Sequence, residues 1–258
     1  MIPLELWDLW VGDRILWDCM EDPEFHTLLF QALLELHAGR GATRSGGPVP
    51  ACIAGFEELY LTGGRSKGMA IIEVLVEGPW RLYRETSPEK GGSDAGLAML
   101  LARGLNGWVV DVGQSALKIS GDDLPKRWAR DFDRLPLRPA VPEDEAGQRE
   151  ALRAFISEAL LYYQARCRVQ PTGLVFALPS RLDDDGVPEG SSYIGMAGDA
   201  MLVPDVLRRA GLEHLPTLVL NDAEMAAFEA SRGLPRPKTL VLTLGFGVGA
   251  ALVEKPPR

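Results

Sequence analysis

Trp108-Val-Val-Asp111-Val-Gly113-Gln114-Ser115-Ala-Leu-Lys118-Ile119 reads as a buried strand, a tight glycine turn and a second strand running back. The apolar, β-branched run Trp108 to Val112 is short enough for an interior strand, and Gly113 supplies the turn. An Asp at the end of such a strand lies beside exposed turn N–H groups. That pairing suits a phosphate with its magnesium: the N–H groups of Gly113 and Gln114 and the Ser115 hydroxyl meet phosphate oxygens, while Asp111 faces the metal through water. Lys118 either adds charge toward the phosphates or points to solvent. The same residues also fit an ordinary hairpin whose Asp caps its turn.

Downstream, residues 121–150 are charged and Pro-rich. Glu150 to Arg166 has the apolar spacing of an amphipathic helix, and Gly173 to Leu178 is a strand stopped by Pro179. After the acidic loop Asp183-Asp184-Asp185 come a helix from Pro204 to Ala210, a strand Thr217 to Leu220 and a helix Asp222 to Ser231. The strand delivers Asn221 and Asp222 to the start of that last helix. Asp222 there can serve as a general base toward a hydroxyl, or one of the pair can simply cap the helix. A second glycine hairpin closes the chain: Thr239 to Leu244, Gly245-Phe246-Gly247, then Val248-Gly249 and on to Val253. Alternating glycines let a backbone approach a ligand closely, or merely relieve crowding in a sheet.

Upstream, Leu4 to Cys19 suggests two short strands, and Glu24 to Ala38 a helix with Phe25, Leu28, Leu29, Leu33 and Leu36 on one face. Gly39 to Pro50 reads as a loop. Glu58 to Thr62 is an apolar strand ending in Gly63-Gly64 before a short helix, where a base or ribose can lie on the backbone and Arg65 or Ser66 can reach it. Ile71 to Val76 reads as a buried strand, and Ser93 to Arg103 as a helix capped by Ser93. Trp7, Trp10 and Trp17 fit either a buried core or an exposed homodimer patch. Alternating strands and helices give an α/β class.

Of 258 residues, 46 % are hydrophobic and 24 % charged, which suits a large domain or two lobes. A net charge of −9 argues against non-specific binding to nucleic acid. It leaves a nucleotide open, because backbone N–H groups and a divalent ion hold phosphate locally. Cys19, Cys52 and Cys167 lie far apart with no CxxC pair, so no zinc site is expected and a reducing, cytoplasmic setting is. No run reaches the ~18 apolar residues of a membrane helix, and the start lacks a signal-peptide pattern.

Taken together, VVDVGQSALKI, LVLNDAEMAA, TLGFGVGAALV and LYLTGG resemble the sugar kinase, actin and heat-shock ATPase superfamily, most closely the ROK bacterial sugar kinases. The resemblance implies two ribonuclease H-like lobes of the actin/hexokinase type, binding ATP and Mg2+. It makes Asp111 the metal residue, and puts Gly113, Gln114, Ser115, Lys118, Gly245, Gly247 and Gly249 at the phosphates. Gly63 and Gly64 would lie at the adenosine, and Asp222 beside Asn221 would activate a sugar hydroxyl.

The order departs from that family, since the adenosine segment precedes the first phosphate hairpin. A circular permutation accounts for it. Residues 1–105 plus 238–258 would form the second lobe and 106–237 the first, with Met1 and Arg258 neighbours. Phe246 stands where the family has a small hydroxyl residue, and the family's cysteine zinc motif and Glu-x-Gly-His segment are absent. The leading expectation is an ATP-dependent phosphotransferase on a sugar or similar small hydroxyl substrate. The alternative is a catalytically degenerate nucleotide sensor or scaffold, and a filament-forming protein ranks below both.

Overall fold

The computed structural model describes the backbone at residues 2–4 and 69, and residues 23–40, 53–63, 70–84, 93–121, 125–136, 144–189, 191, 193–231, 237–244 and 248–254 in full. Trp7, Trp10, Trp17, Cys19, Cys52, Gly64, Arg65, Ser66, Gly245, Phe246 and Gly247 lie outside these residues, as do Met1 and Arg258. Ten strands in two five-stranded sheets and six helices make up the described fold, a mixed α/β architecture. None of these helices is long and apolar enough to cross a membrane.

The chain forms two compact units. Residues 92–225 make the central unit, and residues 1–91 with 226–258 the terminal unit.

In the central unit the strands are β4 (Gly107–Val112), β5 (Ala116–Ser120), β6 (Lys126–Ala129), β7 (Gly173–Leu178) and β8 (Thr217–Asn221). They lie in the order β6-β5-β4-β7-β8, with β4, β5 and β6 antiparallel and β4, β7 and β8 parallel. β4 and β7 are buried throughout, as strands covered on both faces must be. One face, carrying Trp108, Val110, Val112, Phe176 and Leu178, packs on helix α4 (Glu145–Gln164) through Leu152, Phe155, Ile156, Leu160 and Tyr163. Trp108 and Tyr163 meet edge to face at 5.2 Å. Asp144 caps α4, accepting from the Gly147 N–H at 2.8 Å, so the helix starts five residues before the expected Glu150.

Helix α3 (Ser93–Leu101) packs on β4 and β7. A Cβ on its Gly96 would come 2.6 Å from Val109, and Leu100 sits over Gly107 and Gly173, where the two strands approach closely. This packing draws residues 92–105 into the central unit, whereas the sequence reading grouped them with the chain ends.

The terminal unit contains β1 (Ile2–Leu4), β2 (Glu58–Thr62), β3 (Arg81–Arg84), β9 (Thr239–Leu244) and β10 (Val248–Val253), in the order β1-β10-β9-β2-β3. Here β9 runs antiparallel to β10, β10 antiparallel to β1, and β9, β2 and β3 are parallel. The pattern of directions repeats that of the central sheet. Counted in chain order, the central strands run 3-2-1-4-5 across their sheet. The terminal strands do the same when counting starts at β9 and passes from β10 to β1. Ile2 faces Leu252 across that pairing.

Helices α1 (Pro23–His37) and α2 (Met69–Leu75) contribute Phe25, Leu29, Leu33, Leu36, Ile71 and Leu75 to one core with Leu59, Leu61, Leu240 and Leu242. The α2 segment corrects the strand expected at Ile71 to Val76. Its β-branched residues suggested a strand, yet Ile71 and Leu75 are buried four apart with Ile72 and Val74 half-buried and Glu73 exposed, which is helical spacing. Tertiary burial outweighed local propensity there. Two strands had no reading in the sequence, β3 and β6. Both are exposed edges, without the apolar alternation that marks a strand.

Candidate functional site

The charged residues of interest gather where β4 and β8 end, both at the carboxyl edge of the central sheet. Ligands of open α/β sheets bind outside those edges. Asp111, only 7 % exposed, faces Lys118 across the β4–β5 ladder. The Lys118 Nζ donates to Asp111 Oδ2 at 3.0 Å. The lysine therefore folds onto the carboxylate, the arrangement that neither sequence alternative described. Gly113 begins the turn. A Cβ there would come 2.9 Å from the Ala116 carbonyl oxygen, so the turn is built for glycine.

At the end of β8, Asn221 is buried and its polar atoms have partners within the fold. Its Nδ2 donates to the Ser180 carbonyl at 2.7 Å, and its Oδ1 accepts from the Ala223 N–H at 2.7 Å. Its own N–H donates to Glu224 Oε2 at 3.0 Å. This is a reciprocal cap on helix α6 (Asp222–Ser231), which follows α5 (Leu202–Ala210) and β8 in the chain. Asn221 does the capping. Glu224 was missed from sequence as a capping partner, although an Asn followed three residues later by Glu is that signature.

Asp222, partly buried at the first turn of α6, has its pKa raised to about 7. Burial is the main cause and the Asp111 charge adds to it. The Ala223 N–H, Lys118 and the residue's own N–H pull the other way. Asp111, Lys118 and Asp222 thus form one interacting charge cluster, brought together from positions 111 residues apart. A carboxyl group that titrates near neutrality can both take and return a proton at physiological pH. Among the described residues no group of three or more His, Cys, Asp and Glu could hold a metal unaided.

The turn after Asp111 is held from behind. Tyr193 Oη donates to the Gly113 carbonyl at 2.8 Å, and Arg130 Nη1 to the Gln114 carbonyl at 3.0 Å. Neither residue stood out in the sequence. Arg130 follows an edge strand and Tyr193 lies in a loop, and no local pattern links either to residue 113.

In the terminal unit, Thr62, Thr243 and Gly249 form a row across β2, β9 and β10. Gly63 follows with φ of +90°, and a Cβ there would come 2.5 Å from the Leu244 carbonyl oxygen. Only glycine fits. Of the expected nucleotide-binding glycines, Gly113, Gly63 and Gly249 lie within the described residues.

No protein-family model matches the chain, and no curated protein matches it. Among solved structures it is similar to a glucokinase from Parabacteroides distasonis ATCC 8503, with 18 % identity and a TM-score of 0.36. The similarity covers 57 % of this chain and 44 % of the glucokinase, less than half of that protein's length.

Proposed function

We propose that this chain is an ATP-dependent phosphotransferase acting on a sugar or a similar small hydroxyl substrate. In this reading it has two ribonuclease H-like lobes of the ROK type in circularly permuted order. The observation that carries the proposal is the charge cluster at the carboxyl edge of the central sheet, with Asp222 titrating near 7 beside Asp111. The matching strand directions in the two sheets, with β1 beside β10, support the permuted arrangement.

In this reading Asp222 accepts the proton of the substrate hydroxyl as its oxygen bonds to the γ-phosphorus of ATP. The bond to the ADP oxygen breaks, giving ADP and a phosphate ester. Asp222 then releases the proton to solvent. Asn221 is a positioning residue, fixing the strand end from which Asp222 projects. The Gly113–Ser115 turn receives phosphate oxygens on its N–H groups. By the resemblance, Gly63, Gly64, Gly245, Gly247 and Gly249 are the further nucleotide-binding residues of this reading.

A magnesium ion fits the residues present. Mg2+ keeps several waters and binds through one or two carboxylates together with phosphates, and Asp111 supplies such a carboxylate. When bound, the ion neutralises phosphate charge and orients the transferred group. Asp111 would hold it, with Lys118 released from the carboxylate toward the phosphates.

The test is phosphate transfer from ATP to a panel of sugars, with Asp222→Asn as the control. Loss of a general base costs about 10²–10⁴-fold in turnover, so the variant should be nearly inactive while still binding ATP. Equal activity in the two proteins would remove Asp222 from the chemistry. Phe246, bulky where a phosphate contact is expected, favours a second reading, a nucleotide sensor without turnover. Calorimetry with MgATP beside the transfer assay separates them, since a sensor binds without turnover.

A further inference from the structure

We propose that Tyr193 and Arg130 are positioning residues for phosphate binding, a bracket that draws the carbonyls of the Gly113–Ser115 turn inward and so turns its N–H groups toward the nucleotide's phosphates. The inference rests on the nucleotide reading above and adds two residues to it.

Three successive carbonyls of the turn accept from this bracket. Gly113 O takes the Tyr193 hydroxyl at 2.8 Å, Gln114 O the Arg130 guanidinium at 3.0 Å, and Ser115 O the Arg130 backbone N–H at 2.9 Å. A trans peptide is planar with its C=O and N–H opposed. Carbonyls 113 and 114 pulled one way therefore set the N–H groups of Gln114 and Ser115 the other way. A short glycine turn has many alternative peptide orientations of similar energy. Fixing one beforehand removes an ordering cost from ligand binding.

The bracket itself is rigid. Arg130 is 4 % exposed, and its Nε and Nη2 donate to the carbonyls of Leu135 at 2.7 Å and Pro136 at 2.6 Å. Its guanidinium lies 3.7 Å from the centre of the Tyr193 ring, a stacked cation–π contact. Tyr193 lies 80 residues from Gly113 in the chain, so the bracket is a tertiary device. Its chemistry selects an anion twice over. It exposes donors on the turn, and it keeps a buried positive charge directly behind them, where the low dielectric preserves its field.

The decisive variant is Tyr193→Phe in the full chain. It deletes one donor and keeps the ring under Arg130. Hydrogen–deuterium exchange of the Arg130 amide, whose N–H is held by the Ser115 carbonyl, should quicken roughly fivefold in the free protein as the turn loosens, as for the loss of one hydrogen bond. MgATP affinity should weaken by a similar factor, while adenosine, which lacks phosphates, binds as to the wild type. Arg130→Lys keeps the charge but cannot reach three carbonyls at once, and should shift the same two readouts further in the same direction. Unchanged exchange in Tyr193→Phe would overturn the bracket. So would an equal loss of adenosine and MgATP affinity, which marks general damage. If the wild type binds no MgATP at millimolar concentration the nucleotide reading fails, and the exchange comparison still decides whether Tyr193 holds the turn.

Discussion

At equivalent places in the two sheets, the central unit sets Asp111 opposite Lys118, and the terminal unit sets Thr243 opposite Gly249. The flanking parallel strand carries Ala177 in one and Thr62 in the other. The two sheets share their strand directions and hairpin placement but differ in chemistry at the matched row. Ionised groups belong to the central hairpin, while the terminal one presents small residues and bare backbone. A repeated scaffold thus carries an acid–base cluster on one copy and close-approach surfaces on the other, as expected when fold and function are separable.

The comparison can be broken hardest at its glycines. Gly107 and Gly63 are both sites of close backbone approach, one in each unit. A Cβ at Gly107 would overlap the Gly173 carbonyl oxygen and crowd Leu100. A Cβ at Gly63 would press on Leu244 at a positive φ. Gly107→Ala should cost more than about 3 kcal/mol, because a central β4–β7 pairing must open. Gly63→Ala should cost about 1–3 kcal/mol in backbone strain, before any clash is counted. Limited proteolysis with mass mapping checks both. Cleavage should spread through 92–225 in the first variant and stay within 1–91 and 226–258 in the second. Cleavage at wild-type rates in either would mean that its strands are not so closely paired.

How much of this was legible in the sequence follows from what each residue depends on. Buried strands announce themselves through unbroken apolar runs, so β2, β4, β7 and β9 were readable to within a residue. Edge strands β3 and β6, with exposed side chains, were not. Ile71 to Val76 misled because local propensity favoured a strand while burial four residues apart made a helix. At the candidate site, Asp111 and Asp222 were visible because one lies next to the end of an apolar strand and the other just past one. Their mutual influence on titration depends on sheet order, which no local pattern encodes. Tyr193 and Arg130 were invisible for the same reason. Asn221 was read either as a site residue or as a cap, and its contacts are those of a helix cap. The Asn-x-x-Glu spacing carried that information all along.

A pH-dependent effect sharpens the difference between the units. The Asp222 pKa rises from 3.8 to about 7 on folding. A carboxyl whose folded pKa is raised binds its proton more tightly in the native state. Its contribution to stability is full below the unfolded value and is lost as pH climbs through the folded one. The wild type should therefore lose stability between about pH 4 and pH 7 on account of this group, by about 4 kcal/mol at most. Asp222→Asn cannot ionise and escapes that loss. Its melting temperature should gain on the wild type as pH rises from 5 to 8. Thr243→Ala, at the uncharged row of the other sheet, should show a constant offset over the same range. A pH-independent difference for Asp222→Asn would mean that the carboxyl titrates at its ordinary value.

The smallest expected effect separates the two influences on Asp222. Lys118 lowers its pKa and Asp111 raises it, yet those two groups are themselves paired at 3.0 Å. Removing the lysine with Lys118→Met takes away an attractive charge and leaves Asp111 uncompensated, so both changes push the Asp222 midpoint upward from about 7. Removing the carboxylate with Asp111→Asn deletes a repulsion and frees the ammonium, so the midpoint should fall. Carbon-detected titration of the Asp222 carboxyl reads both shifts without requiring any activity. Shifts of opposite sign make the three groups one electrostatic unit. A midpoint that ignores both variants leaves burial as the sole cause, and Asp111 and Lys118 would then be an ordinary cross-strand pair like any in the other sheet.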